Sequence, residues 1–197
     1  MSLVHLAASI PLATPPIDIG VLDLAVGSRS GFWTSVAESL SWLGSTKVLT
    51  VIVVVAAVAF AAFRQWRSAA MVLFGSWIAY WLMLLLKRVI DRDRPPVGER
   101  LAHAAYQSMP SGHAMMSTIV FCLIAVALYR SSERIRRHPD ILMLAPILAA
   151  AIGVSRLYLG VHWTTDVVVG WLLGAIWVTI AAAVADLGRT RTPVAAA

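Results

Sequence analysis

The chain has 197 residues, of which 59% are hydrophobic and only 13% charged, and its mean hydropathy is +0.79. A soluble domain carries roughly 25% charged residues, so this composition excludes an ordinary soluble enzyme, a disordered protein and a disulfide scaffold. The net charge of +6 would suggest a nucleic-acid partner in a soluble protein. Because most cations here lie between apolar runs, we expect no nucleic acid, but membrane orientation and phosphate binding.

The length predicts a single membrane-embedded domain over residues 1–197, which begins with a distinct segment at 1–46. The apolar stretch Ser2–Ile17 is short, interrupted by prolines and not preceded by a cation, so we expect no signal peptide. Between Ile17 and Gly44, charged residues are interspersed with large apolar ones. This pattern predicts one or two amphipathic helices that lie at the membrane interface.

Five charge-free apolar runs follow and predict an all-α transmembrane helix bundle over residues 47–185. The runs are Val48–Phe63, Ser68–Leu86, Ala114–Tyr129, Ile141–Ser155 and Val167–Ala185. A bilayer core needs about 20 helical residues. The second and fifth runs meet this length alone, the first and third meet it with their flanks, and the fourth is short and contains Pro146. The runs lack the polar stripe of surface helices, which disfavours a soluble bundle.

A sixth span within residues 1–46 stays open at this point, and residues 186–197 are expected to form a tail. On the fifth run, Gly170 and Gly174 form a pair of small residues four apart. Such pairs let helix backbones approach closely. We expect this pair to pack within the bundle rather than to form a dimer, and we predict no oligomeric state.

Five spans place two polar segments, 87–114 and 156–166, on the same side of the membrane. The opposite side holds eight arginines: Arg64, Arg67, Arg130, Arg134, Arg136, Arg137, Arg189 and Arg191. The side of the two polar segments holds eight cations as well: Arg29, Lys47, Lys87, Arg88, Arg92, Arg94, Arg100 and Arg156. Cytoplasmic loops are rich in Lys and Arg. The polar segments are therefore predicted to be extracytoplasmic if some of their cations are retained for chemistry.

The two polar segments carry residues suited to binding a phosphate group. Lys87, Arg94 and Arg156 can surround a dianion, since arginine offers a planar fork to phosphate oxygens and lysine a point charge. Ser111 and Gly112 stand where a helix is predicted to begin. Free backbone N–H groups and the positive end of the helix dipole would face an anion there.

The same segments carry residues suited to phosphoryl transfer. His162 and Asp166 are four residues apart and would share one face if that stretch is helical. A carboxylate that accepts from one ring nitrogen fixes the tautomer and makes the other nitrogen a better nucleophile. His113 could then protonate the leaving oxygen. This arrangement needs no metal ion.

Each of these residues also has a purely structural interpretation. Lys87 could anchor a helix end at the interface, Ser111 could be a simple N-cap, and the His162–Asp166 pair could be a structural hydrogen bond. A metal site at His113, His162 and Asp166 is disfavoured, because three nearby cations would repel the ion. All of these structural interpretations would have to apply at once to residues on one side of the membrane. Such a coincidence is improbable, which favours a phosphate site.

Three sequence blocks resemble the signature of the type 2 phosphatidic acid phosphatase superfamily, whose core is similar to that of vanadium haloperoxidases and bacterial acid phosphatases. The matching positions are Lys87, Arg94 and Pro95; Pro110, Ser111, Gly112 and His113; and Ser155, Arg156, His162 and Asp166. The resemblance spans about residues 47–185. The chain differs from the family at its N-terminus, because the six membrane spans that are usual in the family would require one more span there.

The resemblance implies a metal-independent lipid phosphatase without a cofactor and with an active site that faces away from the cytoplasm. His162 would form a phosphohistidine, Asp166 would orient it and His113 would protonate the leaving group. Lys87, Arg94, Ser111, Gly112 and Arg156 would hold the phosphoryl oxygens.

The expected partners are the bilayer and a lipid phosphate. The candidates are polyprenyl diphosphate, phosphatidylglycerophosphate, phosphatidic acid and diacylglycerol diphosphate, and the sequence does not choose among them. A membrane protein or carrier that binds phospholipid headgroups without turnover remains the main alternative. A transporter with a proton relay would place ionisable groups in mid-span, where this chain has none. A vanadate-dependent peroxidase is disfavoured by the membrane composition.

Overall fold

A computed structural model describes residues 14–187 of the chain, which are helical and contain no strand. The helices are α1 (Pro16–Gly27), α2 (Gly31–Leu43), α3 (Thr46–Ala62), α4 (Trp66–Ile90), α5 (Gly112–Ser131), α6 (Glu133–Arg137), α7 (Leu144–Tyr158) and α8 (Thr164–Asp186). Short 3-10 helices cover Val97–Glu99 and Pro139–Met143. The predicted all-α fold is confirmed. The start of the N-terminal segment, Arg189, Arg191 and nearly all of the predicted tail lie outside the described residues.

Four helical stretches in this part of the chain are long and apolar enough to cross a membrane. They are Trp66–Ile90, Gly112–Ser131, Pro139–Tyr158 and Thr164–Asp186. A fifth is reached only when α2 and α3, which meet at a 49° bend, are counted as one span. The first predicted run, Val48–Phe63, corresponds to α3. This helix has only 17 residues, the lower limit for crossing a bilayer core.

The fourth predicted run gains its length from the residues that precede it. The 3-10 helix Pro139–Met143 continues directly into α7, and the two together make a stretch of 20 residues. Pro146 is the third residue of α7. Proline is tolerated in the first turn of an α-helix.

Helix α5 lies at the centre of the bundle and packs against α3, α4, α7 and α8. Its side chains Met115, Ile119 and Leu123 are completely buried. Helix α8 approaches it through two glycines. A Cβ atom at Gly174 would lie 2.8 Å from the Cβ of Thr118, and one at Gly170 would lie 3.0 Å from a backbone oxygen. The prediction that these glycines pack within the bundle is confirmed.

The described part of the N-terminal segment, residues 14–45, contains the helices α1 and α2. Helix α2 packs along the end of α7 that carries Arg156. Before α2, Arg29 donates to the carbonyls of Glu99 at 2.6 Å and Tyr158 at 3.4 Å. Near the C-terminus of α2, Ser41 accepts a hydrogen bond from Arg156. These contacts tie α2 to a single end of the bundle.

Large aromatic side chains of α2 remain outside the helix bundle. Phe32, Trp33 and Trp42 are 70%, 57% and 66% exposed. Such side chains are typical of the region where a bilayer meets water. The interfacial position of the N-terminal helices stays a prediction.

Candidate active site

The ends of four helices converge around one cavity of about 540 Å³. Lys87 lies in the last turn of α4, Gly112 and His113 open α5, Arg156 lies in the last turn of α7, and His162 precedes α8. All five line the cavity, together with Arg94 from the segment between α4 and α5. The two polar segments, separated by more than 40 residues of chain, therefore meet on one side of the bundle, as predicted.

Two cations of this cavity also hold the loop at its rim. Lys87 donates through Nζ to the carbonyls of Gln107 at 2.7 Å and Ser108 at 3.3 Å. Arg94 donates to the carbonyls of Ala105 and Tyr106, each at 2.9 Å. Carbonyl oxygens carry partial negative charge, so they stabilise cations that have been partly removed from water.

The third cation, Arg156, enters the cavity from α7 and is only 4% exposed. One terminal nitrogen donates to the hydroxyl of Ser41. Its Nε atom is buried and has no hydrogen-bond partner. A buried donor without an acceptor is costly, and a phosphate oxygen in the cavity would supply the acceptor.

His162 and Asp166 are close, but not because they share a helical face. His162 lies in the turn before α8, and Trp163 is the N-cap of that helix. The carboxylate of Asp166 turns back and accepts from the N–H of Trp163 at 2.9 Å. This brings Oδ2 of Asp166 to 3.5 Å from Nδ1 of His162. The predicted pairing is present. It does not depend on a shared helical face, because His162 precedes α8 and the condition that the stretch be helical is not met.

The hydrogen-bond network indicates which nitrogen of His162 is free to react. Nδ1 faces Asp166 and the hydroxyl of Ser108, 3.4 Å away. Ser108 itself donates to Oδ2 of Asp166 in a short hydrogen bond. Nε2 lies 3.2 Å from a terminal nitrogen of Arg94. We therefore assign the ring proton to Nδ1, which leaves the lone pair of Nε2 beside the cations of the cavity.

The electrostatic environment keeps the His162 ring neutral. The pKa of His162 is lowered to about 3: burial is the largest cause, Asp166 acts in the opposite direction, and the cations Arg94 and Lys87 add to the lowering. Burial also lowers the pKa of Arg94, to about 10, with Asp166 again opposing. At neutral pH His162 is thus unprotonated, as a nucleophile must be, while Arg94 keeps its charge.

His113 stands on another wall of the same cavity, at the second residue of α5. A Cβ atom at Gly44 would lie 3.1 Å from Cδ2 of the His113 ring. The bend between α2 and α3 therefore packs against the ring of His113, so the N-terminal segment contributes directly to the site.

The remaining motif residues have structural contacts. Ser111 caps α5 by accepting from the N–H of Ala114 at 3.5 Å. The hydroxyl of Ser155 donates to the carbonyl of Ile152 at 2.7 Å. Pro95 is completely buried and its carbonyl accepts from Arg100 at 2.7 Å. Pro110 is also buried and follows a cis peptide bond.

Four polar residues of the site were not found from the sequence: Asp18, Ser41, Arg92 and Ser108. In the sequence, Arg92 entered only the count of cations that predicts the membrane orientation. In the structure it is 5% exposed, and its guanidinium lies 2.6 Å from Oδ1 of Asp166. No spacing rule connects these residues to the motif blocks. Over residues 14–187, no group of three or more His, Cys, Asp or Glu side chains is arranged to hold a metal ion.

Comparison with known proteins identifies the family. Residues 68–188 match the model of the PAP2 superfamily. The chain is 33% identical over 167 residues to phosphatidylglycerophosphatase B of Bacillus subtilis, which covers 83% of this chain and 81% of that protein. It is 32% identical over 152 residues to decaprenylphosphoryl-5-phosphoribose phosphatase of Mycolicibacterium smegmatis, which covers 76% and 77%.

A solved structure agrees with this relationship. The crystal structure of a transmembrane PAP2-type phosphatidylglycerolphosphate phosphatase from Bacillus subtilis superposes with a TM-score of 0.82 at 29% identity, covering 89% of this chain and 87% of that one. The chain belongs to the PAP2 superfamily, as its sequence blocks predict. It is an integral membrane protein and a lipid phosphatase of that family.

We expect the planar fork of Arg156, and not only its charge, to matter for phosphate binding. Arg156→Lys keeps the charge but loses the Nε donor and the second terminal nitrogen. The value of kcat/KM should fall about 10- to 1000-fold, or about 1.4–4 kcal/mol of transition-state stabilisation. Steady-state kinetics on a lipid phosphate measures this loss. The exposed Arg88 provides the matched control Arg88→Lys, and turnover near wild type in Arg156→Lys would show that a point charge is sufficient.

Proposed function

We propose that the protein hydrolyses the phosphate of an amphiphilic membrane lipid through a phosphohistidine at His162, without a divalent metal ion. The observation that carries this proposal is the shape of the cavity, in which a cationic, histidine-bearing end is continuous with an apolar groove between α3 and α4.

The groove matches the dimensions of a lipid tail. Leu49 and Val53 of α3 form one wall, and Leu73, Trp77 and Leu84 of α4 form the other. From Lys87 to Leu73, α4 advances about 21 Å at 1.5 Å per residue. A phosphate bound by the cations would therefore leave its hydrocarbon tail beside these apolar side chains, at the depth of the bilayer core.

The mechanism follows from the positions of the two histidines. Nε2 of His162 attacks phosphorus and the bond to the leaving oxygen breaks, while His113 transfers a proton to that oxygen. His113 then accepts a proton from water, whose oxygen displaces His162 and releases inorganic phosphate. Asp166 stabilises the positive charge that forms on the His162 ring. The negative charge of the bound substrate favours the protonated form of His113.

The cations of the cavity take the role that a metal ion has in other phosphatases. Lys87, Arg94 and Arg156 would neutralise the phosphoryl oxygens, and the N–H group of Gly112 would add a helix N-terminal donor. Ser111 lines no part of the cavity and its N–H already donates to the carbonyl of Asp166, so its predicted contact with the phosphate is replaced by its role as the N-cap of α5. Three positive charges around one cavity oppose the entry of a further cation. We infer that catalysis needs no divalent metal.

The substrate class is a phosphate monoester or diphosphate of a lipid. The names of the two relatives above refer to a glycerophospholipid phosphate in one case and a polyprenyl-linked phosphate in the other. The apolar groove supports the feature that these molecules share, a phosphate attached to a long hydrocarbon tail. Polyprenyl diphosphate, phosphatidylglycerophosphate and phosphatidic acid are the candidates.

We place the active site on the extracytoplasmic face. Most cations at the end of the bundle that carries the cavity, here called the catalytic end, have a specific environment. Lys87, Arg94 and Arg156 line the cavity, and Arg92 pairs with two carboxylates. Arg29 and Arg100 donate to backbone carbonyls.

The opposite end also has ion pairs, Arg130–Asp186 and Arg137–Glu133, but these are at least partly exposed, whereas the pairs of Arg92 are buried. We therefore assign the cations of the cavity end to phosphate binding and internal structure. The arginines of the opposite end then determine the orientation by the positive-inside rule.

Loss of each histidine should affect substrates differently. His162→Ala removes the nucleophile and should abolish phosphate release from every substrate. His113→Ala removes the acid, so a lipid phosphate should be strongly affected while p-nitrophenyl phosphate, whose phenolate leaves unaided, should be partly spared. Phosphate release in EDTA and trapping of the phosphoenzyme by an alkaline quench, in which phosphohistidine is stable, measure both effects.

Three results would contradict this assignment. They are a trapped phosphohistidine in His162→Ala, equal losses for both substrates in His113→Ala, and activity that collapses in EDTA and returns with magnesium or zinc. A wild-type protein that binds lipid phosphates but releases no phosphate would favour the alternative, a headgroup-binding membrane protein or carrier.

Filling the groove should discriminate against long tails. Val54 lines the groove, whereas its neighbour Val55 is 62% exposed and does not. We expect Val54→Trp to raise KM for a long-chain lipid phosphate about 10-fold or more, with little change for p-nitrophenyl phosphate, since the added ring occupies the space of the tail. Val55→Trp is the matched control. Equal effects of Val54→Trp on both substrates would show that the tail lies elsewhere.

The orientation is testable by labelling cysteines in intact cells. In a Cys122→Ser background, Val97→Cys stands at the catalytic end and Asp140→Cys at the opposite end, and both positions are exposed. A membrane-impermeant maleimide should react only with the cysteine at position 97. Exclusive labelling at position 140 would place the active site on the cytoplasmic face.

A further inference from the structure

A buried ionic network lies behind Asp166, away from the cavity. Arg92 reaches it from the segment that follows α4, with one terminal nitrogen 2.6 Å from Oδ1 of Asp166 and the other 2.7 Å from Oδ2 of Asp18. Asp18 is 1% exposed and Asp166 is completely buried. The guanidinium therefore bridges two carboxylates, and Trp163 packs against it with its ring centre 5.8 Å away.

Asp18 is bound equally closely to the first turn of α8. Its Oδ1 accepts from the N–H of Thr165 at 2.9 Å, and its Oδ2 accepts from the hydroxyl of Thr165 at 2.7 Å. That hydroxyl in turn accepts from Arg92 at 2.6 Å. A carboxylate at a helix N-terminus also interacts favourably with the helix dipole. Asp18 thus fixes both the arginine and the residue directly before Asp166.

We propose that Asp18, although remote from the cavity, is a positioning residue for phosphoryl transfer that acts through Arg92 on Asp166. This assignment rests on the proposed function, because it concerns the carboxylate that orients and stabilises His162.

The charge balance explains why a second carboxylate is needed. If Arg92 faced Asp166 alone, the pair would be neutral and the guanidinium would be free to approach Asp166 with both terminal nitrogens. With Asp18 on the other nitrogen, one positive charge is shared by two negative ones, and the network keeps a net charge of −1. Asp166 therefore retains attraction for the imidazolium that forms at His162 during transfer.

The test compares two aspartates of α1. Asp18→Asn removes the buried charge, whereas Asp23→Asn removes an exposed one from the same helix. In purified full-length protein, Asp18→Asn should slow phosphoenzyme formation about 10- to 100-fold in single-turnover measurements with p-nitrophenyl phosphate. The KM value should change little, because the phosphate-binding cations are untouched. Asp23→Asn should match wild type.

A double-mutant cycle separates positioning from a loss of folding. If Asp18 acts through Asp166, then Asp18→Asn should cause little further loss in an Asp166→Asn background. A general disturbance of the fold would lower the rate by the same factor in both backgrounds. Additive losses, or a wild-type rate in Asp18→Asn, would overturn the assignment.

A second pair of variants covers the case in which Asp18→Asn fails to fold. Thr165→Val removes the hydroxyl that links Asp18 to Arg92 while keeping the shape of the side chain, and Thr165→Ser keeps the hydroxyl. Phosphoenzyme formation should be about 3- to 10-fold slower in Thr165→Val than in Thr165→Ser. Equal rates would overturn the assignment. A wild-type protein inert on all lipid and aryl phosphates would instead overturn the proposed function, and this assignment with it.

Discussion

The buried carboxylate of Asp166 is the constraint on which the catalytic end of the bundle depends. An ionised group with no exposure to water must be matched by hydrogen bonds and opposite charge. Its partners come from two separate segments: Arg92 and Ser108 from the connection between α4 and α5, and Trp163 from the turn before α8. The carbonyl of Asp166 also accepts from the N–H of Ser111 at 3.0 Å. Satisfying one carboxylate thus aligns the start of α5 with the start of α8.

The cavity in front of Asp166 has the opposite electrostatic character. Lys87, Arg94 and Arg156 are held there before any substrate arrives, the first two by backbone carbonyls and the third by Ser41. Because these contacts fix the cations in advance, little reorganisation is needed when a phosphate enters. His162 lies between the cationic cavity and the carboxylate. The neutral ring of His162 presents a lone pair to the cationic cavity. On its other side it faces the negative charge of Asp166, which stabilises it.

The sequence reveals the parts of this structure that are local in the chain. Apolar runs of span length predict the helices, and the motif blocks predict the residues that line the cavity. The bond from Arg92 to Asp18 joins residues 74 positions apart, and no periodicity encodes such a contact. The His162–Asp166 spacing of four suggested a helical face, although an N-cap produces the same proximity. The sequence does not determine the span count, because α3 is at the minimum length for crossing a bilayer core and forms a longer stretch only when the bent pair α2 and α3 is counted together.

The bridging position of Arg92 has a consequence for the order in which the protein is assembled. Its two carboxylates lie 74 residues before it and 74 residues after it. During synthesis on the ribosome, Asp18 is therefore available to Arg92 long before Asp166 has been made. The early pair can neutralise the arginine while α5 and α7 are being inserted. The ionic network is completed only when α8 enters the bundle, and α8 also brings Asp166 behind His162. Under the proposed mechanism, a chain without α8 would therefore lack both this network and the carboxylate behind His162, and it would be inactive towards the lipids around it.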